Sequence, residues 1–303
     1  MMADAPKQDW RGRLFIGLLR FFAWWPLRVN HAMGTAIGYL LWWLPNSPKR
    51  ISSINLKIAF PDASETELRA LLKQSLIELG KTTTELGPLW LWPNQKVLNL
   101  IREVDGEELV QAAFDKGKGV IVLSPHIGAW EAMGFYWSSK YPITSLYRPP
   151  NLPSIETFMR DVRERGSAKL VPTDLSGVKA LRKALNQNEM VGILPDQDPG
   201  KSGGVYAPFF GHPARTMVLV SRLAAKAQCD VLFTFAERLP KGRGYRLNIL
   251  PADAAVAARD EQTAAEALNK GVEVCARRVP TQYQWNYKRY KHPPEGVADV
   301  YKQ

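Results

Sequence analysis

A histidine and a glutamate stand five residues apart where an apolar run ends, in the segment LSPHIGAWEAMGF of residues 123–135. On one continuous helix, side chains five positions apart point about 140° away from each other. His126 and Glu131 can therefore meet only if the histidine lies in a turn and the glutamate lies on the first turn of the following helix. Pro125 and Gly128 are typical of such a turn.

A paired carboxylate and imidazole could act as a general base. The carboxylate would hold one ring nitrogen in a fixed tautomer, and the other nitrogen could take a proton from a hydroxyl group. Ser124 is not part of a G-x-S-x-G motif, so the pattern favours direct attack by a bound alcohol over an acyl-enzyme. The same spacing also fits a turn histidine and a helix-start glutamate without a catalytic role.

The surrounding residues predict a buried strand before the pair and a helix after it, from the apolar run GVIVLS and a helical pattern that starts at about residue 129. Strand and helix patterns alternate along the body of the chain. This alternation predicts an α/β fold with a mostly parallel central sheet flanked by helices. The last two strand patterns are DVLFTFAERL and YRLNILP, which could add an antiparallel edge. Helices are also predicted from about Arg215, after a long loop, and over about residues 261–278, and Ser64 and Glu67 predict a capping box.

Four polar features are expected at the carboxyl ends of the strands, where sites gather in such sheets. They are His126, a turn with Arg148, the loop PDQDPGKSGG with Asp196 and Asp198, and Arg215. The forked guanidinium group of arginine suits a substrate that carries phosphate, and the aspartates could pair with such arginines. Each arginine could equally be a solvated charge, and the aspartates could be ordinary turn residues.

The first fifty residues predict a membrane anchor, residues 1–50, ahead of a single α/β domain, residues 51–303. Two apolar stretches, Leu14–Leu27 and Ala32–Leu44, are each shorter than the ~20 residues of a spanning helix. They fit a single tilted span or a helical hairpin in the membrane interface, although ordinary core helices remain a third interpretation. The flanking basic residues place the body on the cytoplasmic side; they are Lys7, Arg11, Arg13, Lys49 and Arg50.

The formal net charge of +11 suits nucleic acid, an anionic membrane surface or an acidic protein partner. Because the aromatic residues concentrate in apolar segments and the basic residues are spread along the chain, a membrane and an acidic protein are favoured and nucleic acid is not expected. The histidines lack zinc-ligand spacing, so neither a metal nor a cofactor is predicted.

The segment SPHIGAWE resembles the H-x4-[DE] block of the glycerolipid acyltransferase superfamily. Three further segments are similar to its lipid A late acyltransferase branch: SLYRPP, PDQDPGKSGGVYAPFFGHPARTM and QYQWNYKRYKHPP. With the apolar N-terminus, the resemblance covers essentially the whole chain. It implies an enzyme on the cytoplasmic face of the bacterial inner membrane. Such an enzyme moves a fatty acyl chain from acyl carrier protein to a hydroxyl group of a lipid A precursor.

The resemblance also implies roles for residues. His126 would be the base and Glu131 its partner, and the region of Arg148 and the segment MRDVRERG would meet substrate phosphate, through Arg163 or Arg165. Asp196 and Asp198 would lie beside the active site, and Arg215 is a further substrate-binding candidate.

Other activities stay open at this point. The acceptor could be another glycolipid or a phospholipid, the donor could be acyl-coenzyme A, or the base could activate water in a lipid esterase or thioesterase. A third class is a basic protein that binds nucleic acid without catalysis. The sequence predicts neither the acyl-chain length nor the hydroxyl group that is acylated.

Overall fold

The computed structural model describes residues 10–150, 155–200 and 203–302 of the 303-residue chain. Its helices are α1 Trp10–Ala23, α2 Leu27–Trp43, α3 Ser47–Ala59, α4 Glu65–Leu91, α5 Asn94–Leu98, α6 Glu107–Asp115, α7 Trp130–Lys140, α8 Glu156–Arg163, α9 Leu175–Asn186, α10 Leu219–Ala227 and α11 Glu261–Arg278. Its strands are β1 Ile101–Asp105, β2 Val120–Leu123, β3 Ile143–Tyr147, β4 Ala168–Pro172, β5 Met190–Ile193, β6 Gly204–Phe209, β7 His212–Met217, β8 Asp230–Arg238 and β9 Tyr245–Pro251.

Seven strands form one central sheet in the order β1-β9-β8-β2-β5-β3-β4. The five strands β8, β2, β5, β3 and β4 run parallel. One apolar cluster contains Ile121, Leu123 and Leu181 of α9, and a second contains Val120, Val122 and Trp137 of α7, so successive residues of β2 face opposite layers. The predicted α/β class with a mostly parallel sheet between helices is confirmed.

The predicted antiparallel edge is only partly right. Strand β9 does run antiparallel to β8, but it is not the edge of the sheet, because β1 pairs with its other side in parallel. An open β9 would leave a row of unpaired N–H and C=O groups, and β1 covers them. The pairing joins segments about 140 residues apart in the chain, so local patterns could not reveal it.

A second, two-stranded sheet replaces the predicted long loop and the first residues of the helix expected from Arg215. Strands β6 and β7 form an antiparallel hairpin, and α10 begins only at Leu219. Phe210 and Gly211 connect the strands with φ angles of 50° and 75°, as the two-residue type I′ turn requires. A proline in each strand, Pro208 and Pro213, obscured the strand pattern in the sequence.

The N-terminal helices α1 and α2 pack against the long helix α4. Glycines allow the close approach of α2, since a Cβ atom at Gly34, Gly38 or Gly80 would collide with backbone of the opposite helix. Trp24 follows α1 and Trp43 ends α2. Both side chains are exposed, with accessible fractions of 82% and 73%. None of the helices in the described part of the chain is long and apolar enough to span a bilayer. The predicted boundary at residue 50 falls inside α3, and residues 1–9, with Lys7, lie outside the described residues.

Candidate active site

His126 lies in the turn between β2 and α7. Gly128 in this turn has a φ of 59°, and a Cβ atom there would collide with the carbonyl oxygen of Ala236, so the position requires glycine. The Gly128 N–H donates to the carbonyl of Gln282 at 3.0 Å, and the Ala129 N–H donates to that of Ala236 at 2.9 Å. These bonds fix the turn against β8 and the C-terminal segment.

The carboxylate that holds His126 is Asp196. The Nδ1 atom of His126 lies 2.8 Å from Oδ1 of Asp196, and the backbone N–H of His126 donates to Oδ2 at 2.9 Å. Asp196 is only 3% exposed. Burial alone would raise the pKa of this carboxyl group, but the charge and hydrogen bonds of His126 outweigh burial and lower the pKa. An ionised Asp196 therefore accepts a hydrogen bond from the protonated Nδ1 atom of His126. The other ring nitrogen, Nε2, is left to act on a ligand.

Sheet register explains how the two residues meet. Leu123 of β2 pairs with Ile193 of β5, and His126 and Asp196 each lie three residues beyond that pair. Parallel neighbours end at the same edge of a sheet, so equal extensions from paired residues arrive side by side.

The predicted contact between His126 and Glu131 is wrong. Glu131 lies on the first turn of α7, as expected, but it pairs with Arg163 of α8: Arg163 Nε donates to Oε2 at 3.2 Å, and Nη2 donates to Oε1. Burial alone would lower the pKa of Arg163, but the charge and the hydrogen bonds of Glu131, with a contribution from Tyr147, together outweigh burial and raise that pKa. Asp196 lies 70 residues from His126 in sequence. Only the order of strands in the sheet brings it to the imidazole that Glu131 was expected to hold.

An apolar cavity of about 390 Å³ opens beside His126. Its volume lies in the range of ligand sites in proteins. Its lining includes the polar side chains of His126, Glu131, Arg148, Arg163 and Gln197. Apolar side chains line most of the rest: Val122, Trp130, Met133, Phe135, Trp137, Ile143, Leu146, Met159, Ala168, Leu170, Ile193 and Leu194. The arrangement suits a long apolar group whose reactive end lies at an imidazole.

The remaining predicted residues lie at different places. Arg148 follows β3 and lines the cavity with an exposed side chain. Asp198 lies 3.0 Å from Nδ1 of His292 and accepts the N–H of Gly200, and it is not among the residues that line the cavity. Lys201 and Ser202 of the same loop lie outside the described residues.

Arg215 lies in β7, not before a helix. Its Nη2 donates to the hydroxyl oxygen of Tyr206 at 2.7 Å, and it is not among the cavity-lining residues. Arg165, the alternative to Arg163, donates to the carbonyls of Trp92 and Leu89 at 2.8 and 3.0 Å. These bonds tie Arg165 to the end of α4, whereas Arg163 lies at the cavity.

Sequence reasoning missed three residues of this site. Nε2 of Gln197 lies 3.2 Å from Nε2 of His126, and the ring of Trp130 lies 5.0 Å from the imidazole. Arg238 donates from Nη2 to the carbonyl oxygen of Gly128 at 2.8 Å, which steadies the turn. The position of Gln197 between two predicted aspartates was a usable signal, but Arg238 gave none, because it comes from a distant strand.

Comparisons with known proteins show which family the chain belongs to. The family model described as bacterial lipid A biosynthesis acyltransferase matches residues 6–292. The lipid A biosynthesis lauroyltransferase of Escherichia coli (strain K12) is 29% identical over 293 residues, which cover 96% of this chain and 95% of that protein. The palmitoleoyltransferase of the same organism is 29% identical, with coverage of 94% and 92%. The myristoyltransferase of that organism is 24% identical, with coverage of 97% and 90%.

The match extends over almost the full length of the chain and of these relatives. The chain therefore belongs to the bacterial lipid A biosynthesis acyltransferases, and it is an O-acyltransferase.

Proposed function

We propose that this enzyme transfers a fatty acyl chain from an acyl carrier protein thioester to a hydroxyl group of a lipid A precursor, with His126 as general base and no acyl-enzyme. One observation carries the proposal: the imidazole, held at Nδ1 by buried Asp196, lies at the wall of an apolar cavity. The names of the related enzymes supply the reaction class and the acceptor.

The reaction moves one proton from the acceptor hydroxyl group to His126 and then from His126 to the leaving thiolate. Nε2 of His126 takes the proton of the acceptor hydroxyl while the hydroxyl oxygen attacks the thioester carbonyl. Asp196 stabilises the imidazolium that forms. The tetrahedral intermediate then expels the carrier thiolate, which takes the proton from Nε2, so that an ester and a free thiol leave and the imidazole is neutral again.

The cavity would bury the acyl chain. Burial of each methylene contributes about 0.8 kcal/mol, so a mostly apolar wall is enough to hold a long chain. His126 lines the same cavity, so the thioester carbonyl at the end of a buried chain would lie close to the base.

Phosphate groups of the acceptor would meet arginine at the cavity. Arg163 is engaged by Glu131, whereas Arg148 has an exposed side chain, so Arg148 is the stronger candidate for a direct phosphate contact. A guanidinium fork binds phosphate oxygens in pairs. Asp198 and Arg215 would act at most through the segments that they hold.

The basic charge and the exposed tryptophans support a place on the cytoplasmic face of the inner membrane. Trp24 and Trp43 project from the α1–α2 pair, where amphipathic rings could enter the headgroup region. The net charge of +11 would attract both an anionic leaflet and an acidic carrier protein.

The test is acyl transfer by the purified full-length enzyme in vesicles that contain lipid A precursor. Carrier and coenzyme A thioesters are supplied in parallel, and the lipids are analysed by mass spectrometry. We expect one added acyl chain with the carrier thioester, and a loss of roughly 10²- to 10⁴-fold in His126→Ala, with circular dichroism used to verify that the variant is folded at the assay temperature. Free fatty acid as the main product would favour a hydrolase, and a fully active His126→Ala would refute the base assignment.

A further inference from the structure

A glycine in the middle of α7 has no steric reason to be there. Gly134 lies inside an 11-residue helix, where glycine is less favourable than alanine. Gly34, Gly38 and Gly80 are explained by neighbouring backbone, but a Cβ atom at Gly134, which is exposed, would meet no described atom within 4 Å other than the nearby backbone of its own helix. Neither packing nor a positive φ accounts for the absence of a side chain.

The open space at Gly134 belongs to the cavity. With about 100° per residue and Trp130 set at 0°, the lining residues of α7 extend from Met133 at about −60° to Phe135 at about +140°, and Gly134 lies at about +40°, in the middle of this span. Gly134 is therefore near the centre of the helix face that forms one wall. A side chain at this position would extend into the middle of the cavity.

The opposite wall is the sheet. Val122, Gly192 and Ser145 stand in register across β2, β5 and β3, and all three line the cavity. On β3 the lining residues continue from Tyr147 down to Ile143, four steps or about 13 Å. The cavity thus runs from the carboxyl edge of the sheet, where His126 lies, towards its amino edge.

We propose that Gly134 is a specificity-determining residue that sets how long an acyl chain the enzyme accepts. The missing side chain keeps the passage open between the catalytic end and the far end at Ile143. This inference rests on the proposed function, because it takes the cavity as the acyl-chain site. A larger residue at 134 would fill space that terminal methylenes occupy, since interiors tolerate little overlap.

The size of the effect follows from the chemistry of the chain. A leucine side chain brings four carbons into the cavity, room that about four methylenes would otherwise fill. Each methylene group that remains outside the cavity lowers the affinity roughly fourfold, so two such groups lower it roughly 15-fold. Gly134→Leu should therefore favour donors about two to four carbons shorter than the donors that the wild type prefers.

The experiment offers wild type, Gly134→Ala and Gly134→Leu an equimolar mixture of carrier thioesters with even-numbered chains of different lengths. Mass spectrometry of the acylated lipid gives the relative kcat/KM for each length. Ser139→Leu is the matched control, because Ser139 lies on the same helix, is exposed and is not among the cavity-lining residues. We expect a shift to shorter chains in Gly134→Leu, a smaller shift of up to fourfold in Gly134→Ala, and no shift in the control.

A second measurement does not depend on catalysis. Free fatty acids of the same lengths should raise the melting temperature of wild type and Ser139→Leu in the same order, whereas Gly134→Leu should lose the effect of the longest acids first. If Gly134→Leu does not fold, Gly134→Ala decides both measurements. An unchanged chain-length profile, or an equal loss for all lengths, would overturn the role of Gly134. A wild type that transfers no acyl chain would instead overturn the proposed function.

Discussion

Two buried clusters in this protein each combine a histidine, a carboxylate and an arginine, and they differ in what surrounds them. In the first, Glu85 of α4 is 1% exposed and contacts His31 at 3.1 Å, Arg238 at 2.9 Å and Tyr245 at 3.2 Å. In the second, Asp196 holds His126 beside the pair of Glu131 and Arg163.

The difference lies at the imidazole. In the first cluster the Nε2 atom of His31 contacts the carboxylate of Glu85. None of the four residues of this cluster is among those that line the apolar cavity. In the second cluster the carboxylate takes Nδ1, and Nε2 lies near only a neutral amide, that of Gln197, among its described contacts. A histidine–carboxylate pair is therefore no sign of catalysis by itself, whereas a ring nitrogen that faces a cavity and has no charged partner among its described contacts supports it.

The two clusters are also connected. Arg238, which neutralises Glu85, donates to the carbonyl oxygen of Gly128 in the His126 turn. Glu85 contacts His31 of α2, so a chain of polar contacts joins α2 to the turn that carries His126. The first cluster is therefore linked by a hydrogen bond to the turn that holds the histidine of the second.

Replacement of Asp196 should give the largest effect. In Asp196→Asn the amide cannot stabilise an imidazolium, and the imidazole can adopt the wrong tautomer. We expect kcat to fall by roughly 10²- to 10⁴-fold with little change in melting temperature, measured by transfer assays on the purified variant. A fall of less than tenfold would show that Asp196 does not support the base.

Removal of Arg238 should damage the fold more than the chemistry. Arg238→Met leaves the charge of Glu85 buried without its main partner, which costs about 3–5 kcal/mol in the free energy of unfolding. Urea unfolding measures this loss, and the double variant Arg238→Met/Glu85→Gln should recover part of it. If the single and double variants were equally destabilised, the charge of Glu85 would not be the cause.

Glu85 should also make stability depend on acid pH. Burial alone would raise the pKa of Glu85, but the charge of Arg238 and the hydrogen bonds of His31 and Arg238 lower it to about 2, from an ordinary value of 4.5. Because the folded pKa is depressed, the stabilisation is complete above pH 4.5 and disappears as the pH falls towards 2. The difference in unfolding free energy between wild type and Glu85→Gln should narrow over this range, and a constant difference would contradict the assignment.

Glu131 should show the smallest effect of the four. Its loss removes a partner of Arg163 but leaves His126 on Asp196, so Glu131→Gln should lower kcat/KM by roughly 10- to 100-fold, less than Asp196→Asn. Parallel kinetics of the two variants give the comparison. A larger loss in Glu131→Gln than in Asp196→Asn would indicate that Glu131, and not Asp196, is the carboxylate that supports His126.

Local patterns were enough to predict most of the elements. The capping box of Ser64 and Glu67 begins α4, the helix predicted from about residue 261 is α11, and the apolar run before His126 is β2. The turn at His126 and the place of Glu131 on the first turn of α7 were likewise predictable, since they depend on neighbours within a few residues. The hairpin of β6 and β7 was not, because its prolines weaken the strand pattern.

The sequence by itself determined that a histidine ends a buried strand and that arginines and aspartates follow other strands of the same sheet. Only the tertiary structure decided which of them meet. Partners at the edge of a parallel sheet are set by strand order and register, as in the pairing of Leu123 with Ile193 that brings Asp196 to His126. Such pairings join residues far apart in the chain, and the pattern of side chains within one strand contains no information about which strand lies next to it.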